Sequence, residues 1–467
     1  MSPSRPAIGP ASAGPVGGAW IQGLLLSALA VAPLAIGSIH PAAYVPLLAV
    51  LYLTGVASWF RGRVARALGT DSPPPPGWKV LLGLHGVVAI QLIPLPPAVL
   101  GWLSPGSYAV CCIPPPGPQA PWSPVSVYPA ETLRGAAFLG GMSLLYATVF
   151  RDFRQEVWRR RLCATVVGVG ILLTVAALLQ EASSEPRKIY GLLRPRVDWA
   201  VFGPYVNRNH FAGYLAVAVP LGLAFAVEAL GEASRRMRRR PFWRALGEHE
   251  ASLVARRAVV ALVPLVGLLA SQSRGGVAAL AASIVAFLLM LRRRWLALAA
   301  ISLIAVTGLH LVDLSATFRA FETRGMNRLA AWANMLELVR YFPVLGVGLN
   351  AFGFAFRPYQ KVDLKSWYGE AHNEYLQILL DTGMVGLGLC LILLARLLAS
   401  GRSQTGRDSL TAGIFGAVAA SLAHALVDFN WQIPANGATF VALAGLAMAR
   451  TPGERILRRD RRPRGPC

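Results

Sequence analysis

A histidine and several arginines in the polar segments of this sequence are of the types that transfer protons and bind anions. His372 lies in the run Ala371-His372-Asn373-Glu374-Tyr375, directly before a long apolar stretch. Because a neutral imidazole accepts a proton near neutral pH, His372 is the best candidate for a general base, with Glu374 or Asn373 to orient it. The alternative is a histidine that lies at a membrane interface without a catalytic role.

Arg208 lies at the mouth of another apolar stretch, in the run Asn207-Arg208-Asn209-His210. We expect its guanidinium to face an anion there. Asn207 and Asn209 are typical helix-capping residues, and capping is their plainest interpretation. His210 is interpreted as an interfacial residue rather than as a ligand.

Arg274 lies in a tight turn between two apolar stretches, after Ser273 and before Gly275-Gly276. Glycines allow a bulky head group to approach the backbone, and the first N–H groups of the following helix are free to bind an anion. A guanidinium also matches phosphate oxygens with two parallel hydrogen bonds. We therefore expect Arg274 to bind a phosphate-type ligand, with Ser273 in support.

The polar segment from Asp313 to Gln377 is the long interruption in the second half of the chain, and it includes Arg328. We interpret it as an external loop that covers an active site. Within it, residues 327–342 are predicted to form a helix that ends before Pro343. Its apolar face, interpreted as packing surface, is predicted to consist of Leu329, Trp332, Leu336 and Val339.

Asp428 follows an apolar stretch near the end of the chain, with His424 one helical turn before it. The two side chains are expected either to pair structurally or to line the same site.

The composition is that of a membrane protein. Of the 467 residues, 55% are hydrophobic and only 14% are charged, whereas soluble domains carry about 25% charged residues. Apolar runs of about twenty residues recur along the chain, which is typical of membrane-spanning helices. The sequence therefore predicts an all-α polytopic membrane protein of about twelve spans, with a large helical loop between the ninth and tenth.

The basic short loops fix the predicted orientation, because cytoplasmic loops are enriched in lysine and arginine. Both termini are then cytoplasmic, and this bias accounts for much of the net charge of +23 without nucleic acid as a partner. We expect a disordered segment over residues 1–18, a transmembrane domain over 19–450 that includes the external loop 313–375, and a basic tail over 451–467. The first apolar run is expected to be a retained helix rather than a signal peptide.

About a dozen lysines and arginines nevertheless fall in the two large external loops and the Ser271 turn, where the orientation rule predicts few. Charge beside a bilayer is costly unless it meets an opposite charge. These residues therefore indicate an anionic ligand at the outer face, for which a lipid diphosphate is the natural candidate. For any single loop arginine, a solvated charge is the alternative.

No metal or cofactor is expected. The five cysteines lack the spacing of metal ligands and do not form a disulfide framework; two of them, Cys111 and Cys112, are adjacent in a loop.

Five stretches of the last two thirds of the chain, taken in order, resemble the O-antigen ligase and polymerase family, the polytopic glycosyltransferases of bacterial surface-polysaccharide assembly. They are Asn207 to Leu215, Ser271 to Gly276, Arg328 to Phe352, Ala371 to Gly386 and Val427 to Asn436.

The resemblance implies transfer of a whole glycan from undecaprenyl diphosphate to an acceptor sugar hydroxyl, in an inverting and metal-independent reaction at the periplasmic face of the bacterial inner membrane. The acceptor is the lipid A–core for a ligase and another lipid-linked repeat for a polymerase. Arg208 and Arg274, with Arg328, would hold the diphosphate, and His372 would deprotonate the acceptor. The residues expected to support them are Asn207, Asn209, Ser273, Asn373, Glu374 and Asp428.

A transporter or flippase of the same lipid-linked sugars is the rival from another class. Such proteins place ionisable or discontinuous elements at the bilayer midplane. Here the predicted spans carry few ionisable residues and the charges collect at one face, which favours the transferase.

Overall fold

The computed structural model describes residues 18–69, 73–112, 122–195, 201–237, 248–301, 326–361 and 367–449. Within these ranges the chain is helical and forms no strand, only isolated bridges, so the predicted all-α class is confirmed. The helices are α1 (Ala19–Leu34), α2 (Pro41–Ala67), α3 (Trp78–Leu92), α4 (Pro97–Leu103), α5 (Pro105–Cys112), α6 (Pro129–Asp152), α7 (Glu156–Glu181), α8 (Arg208–Met237), α9 (Glu248–Ala270), α10 (Arg274–Met290), α11 (Met326–Val339), α12 (Phe352–Phe356), α13 (Glu374–Gln404), α14 (Ser409–His424) and α15 (Pro434–Met448).

Several of these helices have the length and composition of membrane spans. In the described ranges five are long and apolar enough to cross a bilayer, namely α2, α6, α7, α8 and α13, and shorter apolar helices accompany them. The protein is thus a multi-pass membrane protein. The number of twelve spans stays a prediction, because most of the predicted ninth span, about residues 295–312, lies outside the described residues.

Helix α8 is the buried centre of the bundle: 72% of its most apolar window is inside the structure, against 28% for α2 and for α13. It packs against α9, α10 and α14. Glycines permit this close approach, since a Cβ on Gly222 would lie 2.9 Å from Ala261 Cα and one on Gly413 would lie 2.9 Å from Pro220 O. Small residues at helix contacts are the usual means of packing in membranes, where water supplies little driving force between spans.

A second core lies outside the bundle, where α11 and α12 pack on the start of α13. The predicted loop helix is present as α11, but its buried face is rotated from the predicted one. Leu329 and Leu336 are exposed, at 46% and 51%. The fully buried side chains are instead Ala331, Met335 and Leu338, which recur at four and three residues and therefore share a face.

Gln91, at the end of α3, fixes this outer layer to the bundle. Its amide donates to Leu345 O at 2.6 Å and to Asp381 O at 2.8 Å, and its oxygen accepts from Leu349 N at 3.0 Å. The side chain is fully buried, so each bond replaces one that water would otherwise supply. Gly383, two residues after Asp381, interrupts α13 with φ +65°. The Gln91 bonds therefore hold the outer layer near the start of α13, which directly follows His372 and Asn373.

Candidate functional site

His372 lies in the short turn that leads into α13, with 29% of its side chain exposed. Its backbone has φ +52°, in the left-handed region that non-glycine residues adopt at a cost. The preceding residue holds the turn: Ala371 O accepts from Trp332 Nε1 at 2.7 Å, and Ala371 N donates to Gln377 Oε1 at 2.7 Å. Such backbone strain persists where neighbouring contacts impose it and is frequent at functional sites.

The partner of the His372 ring is Asp428, from the turn between α14 and α15. His372 Nδ1 and Asp428 Oδ1 are 3.2 Å apart, and the Phe429 N–H donates to the same oxygen at 2.9 Å. An ionised carboxylate only accepts hydrogen bonds, so Nδ1 must carry the proton and Nε2 is left as the basic nitrogen. The Phe429 ring packs edge-on against His372 at 4.7 Å.

The two residues expected to orient His372 have other partners. Asn373 caps α13 by accepting from Leu376 N at 3.1 Å. The buried Glu374 carboxylate accepts from Trp431 N and from Gln432 Nε2. Asn373 and Glu374 therefore fix the start of α13 and its contact with the turn after α14, and the imidazole is oriented by Asp428 instead.

The turn that carries Arg274 is built as a helix start. Ser273 caps α10, because its hydroxyl accepts from Gly276 N at 3.2 Å, and it donates to Asn209 Oδ1 at 2.9 Å. A Cβ on Gly275 would lie 3.1 Å from Val427, which places the start of α10 against the segment that holds Asp428. The Arg274 side chain is exposed.

Arg208 is the first residue of α8 and is half-buried. Asn207 stabilises this helix start as expected, since its Oδ1 accepts from Asn209 N at 2.9 Å and its carbonyl from His210 N at 3.1 Å. Asn209 does not cap the helix; its side chain accepts from Ser273. Helices α8 and α10 begin with the predicted arginines Arg208 and Arg274, and the Asn209–Ser273 bond makes their starts neighbours.

Arg328, at the start of α11, reaches the same place from the outer layer. Its Nη1 donates to Val427 O at 3.1 Å, next to Asp428. The segment 424–431 is therefore contacted by α10, by α11 and by the turn that holds His372. Helix α8 is linked to it indirectly, through the bond between Asn209 and Ser273 at the start of α10. Arg328 and the helix starts that bear Arg208 and Arg274 thus lie around the segment that bonds His372, and this arrangement suits an anionic ligand beside a group that loses a proton.

Asp428 provides a buried negative charge beside His372. Burial raises the pKa of its carboxyl group, but the His210 and His372 imidazoles lower it by more, and the net result lies well below the ordinary value. The carboxylate is consequently charged at neutral pH and can stabilise a protonated His372.

Sequence reasoning missed His210 as a member of this site. Its Nε2 faces Asp428 Oδ1 at 3.6 Å, and its ring packs edge-on against Phe429 at 4.5 Å. Of the two expectations for Asp428 and His424, pairing of their side chains is not seen, because His424 Nδ1 is bonded to Asn430 Nδ2 at 2.7 Å; that both line the site stays a prediction. No local pattern signals either arrangement, because His210 and Asp428 belong to distant parts of the sequence.

An apolar cavity of about 300 Å³ lies between α3, α6, α13 and α15. Tyr375 and Trp431 line it next to the site residues Glu374 and Asn430, and Arg396 lines it further along α13. Its lining is almost wholly hydrocarbon, which suits an apolar chain. Among the described residues, no three or more His, Cys, Asp or Glu side chains are grouped to hold a metal ion.

Residues 259–391 match the family described as O-antigen ligase. The matched segment contains Arg274, Arg328 and His372, whereas Arg208 and Asp428 lie outside it. The resemblance read from the sequence is thereby confirmed over this segment, which supports a membrane glycosyltransferase of the ligase or polymerase kind, acting on a lipid-linked glycan and an acceptor. No curated protein sequence matches the chain.

Proposed function

We propose that this chain, with its O-antigen ligase segment, moves a glycan en bloc from undecaprenyl diphosphate to a hydroxyl of an acceptor sugar, such as that of a lipid A–core. The observation that carries the proposal is the meeting of His372, Asp428 and Arg328 at one turn, beside the helix start that bears Arg274. A base and an anion-binding surface are the two parts that such a transfer needs.

Arg208 and Arg274 hold the diphosphate leaving group. Helix starts carry partial positive charge and free N–H groups, and the Asn209–Ser273 bond keeps the two starts together. Arg328 contributes a third guanidinium, whose Nη1 is fixed on Val427 O. Preorganised donors of this kind stabilise the charge that develops on a departing phosphate, without a metal ion.

His372 removes the proton from the acceptor hydroxyl through Nε2, while its Nδ1–H remains hydrogen-bonded to the Asp428 carboxylate. The deprotonated oxygen attacks the anomeric carbon in line with the departing diphosphate, so the glycosidic bond forms as the C–O bond to the carrier breaks, with inversion. Asp428 stabilises the imidazolium during this step. Asn207, Asn209, Ser273, Asn373 and Glu374 hold the helix starts that carry these groups.

The reaction takes place at the periplasmic face of the bacterial inner membrane, with both termini in the cytoplasm. The apolar cavity beside Tyr375 and Trp431 supports a lipid-borne substrate, since hydrocarbon is the occupant that such a lining accommodates.

A polysaccharide polymerase of the same family is the alternative, and it differs only in its acceptor. A flippase of lipid-linked sugars would use the arginines but needs no base. The buried Asp428 at 3.2 Å from His372 Nδ1 favours a transferase, because translocation alone gives no reason to orient an imidazole in this way.

The test is to incubate the purified protein in lipid bilayers with a lipid-linked glycan and, separately, with lipid A–core or a second lipid-linked repeat. We expect a new glycosidic bond with one acceptor, and a rate about 10²- to 10⁴-fold lower for His372→Ala, because that is the usual contribution of a general base. Donor binding should be unchanged, since the arginines remain.

His85→Ala is the matched control, because His85 lies on α3 with its Nδ1 bonded to Leu81 O. Near-normal turnover by His372→Ala would remove this residue from the mechanism. Movement of the lipid-linked sugar across vesicles, with no bond formed to any acceptor, would favour the flippase.

A further inference from the structure

Two imidazoles face one oxygen of Asp428. Nδ1 of His372 lies 3.2 Å from Oδ1, and Nε2 of His210 lies 3.6 Å from the same atom. Both rings meet the Phe429 ring edge-on, at 4.7 and 4.5 Å and at the same interplanar angle of 75°. The arrangement is nearly symmetric about Asp428 and Phe429, although one histidine comes from the start of α8 and the other from the turn before α13.

His210 has the environment of a residue with a specific role rather than of an interfacial one. Only 7% of its side chain is exposed, and Nε2 is buried without a hydrogen bond. Oδ2 of Asp428 is likewise buried and unbonded. Buried polar atoms without partners are rare and costly, so two that face the same short segment call for an explanation.

The position of His210 is fixed from both sides. Its carbonyl accepts from Asn436 Nδ2 at 2.9 Å, and its ring is held by Phe429. A shift of about 0.4 Å in the carboxylate would bring the 3.6 Å separation to about 3.2 Å, the upper end of the range of N–H···O hydrogen bonds. Asp428 can therefore bond to His210 without leaving His372.

We propose that His210 is a positioning residue for the proposed transfer, on which this inference rests: it donates Nε2–H to Asp428 and keeps that carboxylate directed at His372 Nδ1. His372 alternates between neutral and protonated forms in each turnover, and its bond to Asp428 changes strength accordingly. His210 is the partner that does not change, so it holds Asp428 in place when the bond to His372 is weakest.

His424, the other buried imidazole nearby, does not take this part. Its Nδ1 is bonded to Asn430. Its Nε2 is, like that of His210, buried without a hydrogen bond, but it lies against Gly275 at the start of α10. Arg328 is bonded to the backbone at Val427, and the Glu374 carboxylate is bonded to Trp431 and Gln432.

The experiment compares His210→Phe with His210→Gln in the full-length protein, measured with the acceptor that supports transfer. Phe keeps an aromatic ring against Phe429 but removes the donor, whereas the Gln amide reaches about as far as Nε2 and restores it. We expect a kcat about 10- to 100-fold lower for His210→Phe, donor KM within about threefold of the wild-type value, and recovery of most of the rate in His210→Gln. His85→Phe and His85→Gln are the matched controls.

Asp428→Asn provides a second test, because a residue that acts through Asp428 should lose its effect once the carboxylate is gone. We expect His210→Phe to lower kcat by less than about threefold in the Asp428→Asn background. Where His210→Phe fails to give a monodisperse protein, His210→Asn replaces it, since its shorter amide corresponds to Nδ1 and does not reach Asp428.

A wild-type kcat in His210→Phe, equal losses in the Phe and Gln variants, or full additivity with Asp428→Asn would each overturn the role of His210. A wild-type protein that forms no glycosidic bond would instead refute the proposed function. Near-normal turnover by His372→Ala would remove His372 from the mechanism, and this role of His210 with it. The two failures are thus distinguishable.

Discussion

Replacing Asp428 with asparagine tests the link between the buried carboxylate and the base. The two side chains have nearly the same shape, so the 2%-exposed site is not emptied. What is lost is the negative charge 3.2 Å from His372 Nδ1. A hydrogen bond to a charged group contributes about 1.5–3 kcal/mol. Since each 1.36 kcal/mol of barrier is a factor of ten, we expect kcat to fall about 10- to 150-fold.

The assay is the initial rate of transfer at saturating donor and acceptor, with donor KM measured separately. KM should stay within about threefold, because the arginines proposed to hold the diphosphate do not contact the substituted side chain through any described bond. A loss confined to KM, or a kcat within about threefold of the wild-type value, would refute the assignment of Asp428 as the residue that orients and stabilises His372.

The same substitution has a pH-dependent effect on stability. The folded-state pKa of Asp428 lies below its ordinary value, so the carboxylate contributes stability above the pKa of the unfolded chain, about 3.9, and loses it as the pH falls through the folded-state pKa. We expect a lower Tm for Asp428→Asn than for wild type at neutral pH. The difference in Tm between the two proteins, measured by thermal unfolding in detergent, should narrow only below about pH 4.

Two further predictions concern the anion-binding turn and the break in α13. Arg274→Lys should raise donor KM about tenfold or more, because an ammonium does not reproduce a bidentate phosphate contact; Arg293→Ala, beyond the far end of α10, is the control, and an equal KM change in both would contradict a specific role. Gly383→Ala should greatly reduce the yield of folded protein, since Gly383 has φ +65° and a Cβ there would lie 2.2 Å from Val344 O. Gly388→Ala is the control, because a Cβ at Gly388 has no atom within 4 Å. Gel filtration measures the folded yield of both variants, and Gly388→Ala should match the wild type.

The local features of this fold could be predicted from the sequence. The apolar runs of the sequence coincide with helices of the bundle, and capping residues such as Ser273 and Asn207 stabilise the starts of two of them. Helix ends were less predictable, because backbone hydrogen bonds continue beyond the apolar residues. Thus the apolar run that begins at Pro41 ends near Phe60, but α2 runs to Ala67, and Arg61 of this extension pairs with Asp152 at 3.7 Å.

The contacts between distant segments could not be predicted. Asp428 was expected to interact with His424, four residues away, because one helical turn is the distance at which a single sequence suggests a contact. In the structure Asp428 N donates to His424 O at 3.1 Å, as one helical turn requires, but the His424 ring is bonded to Asn430 and is not the partner of the Asp428 carboxylate. Its partner is His372 of another turn, and only the packing of α13 on the 425–431 segment brings the two together.

The indole of Trp332 couples the position of α11 to the position of His372. Its bond to Ala371 O joins α11 to the residue that precedes His372, and α11 also carries Arg328. Under the proposed function, a ligand that displaces α11 would therefore also displace His372. A glycan bound through its diphosphate would then fail to react.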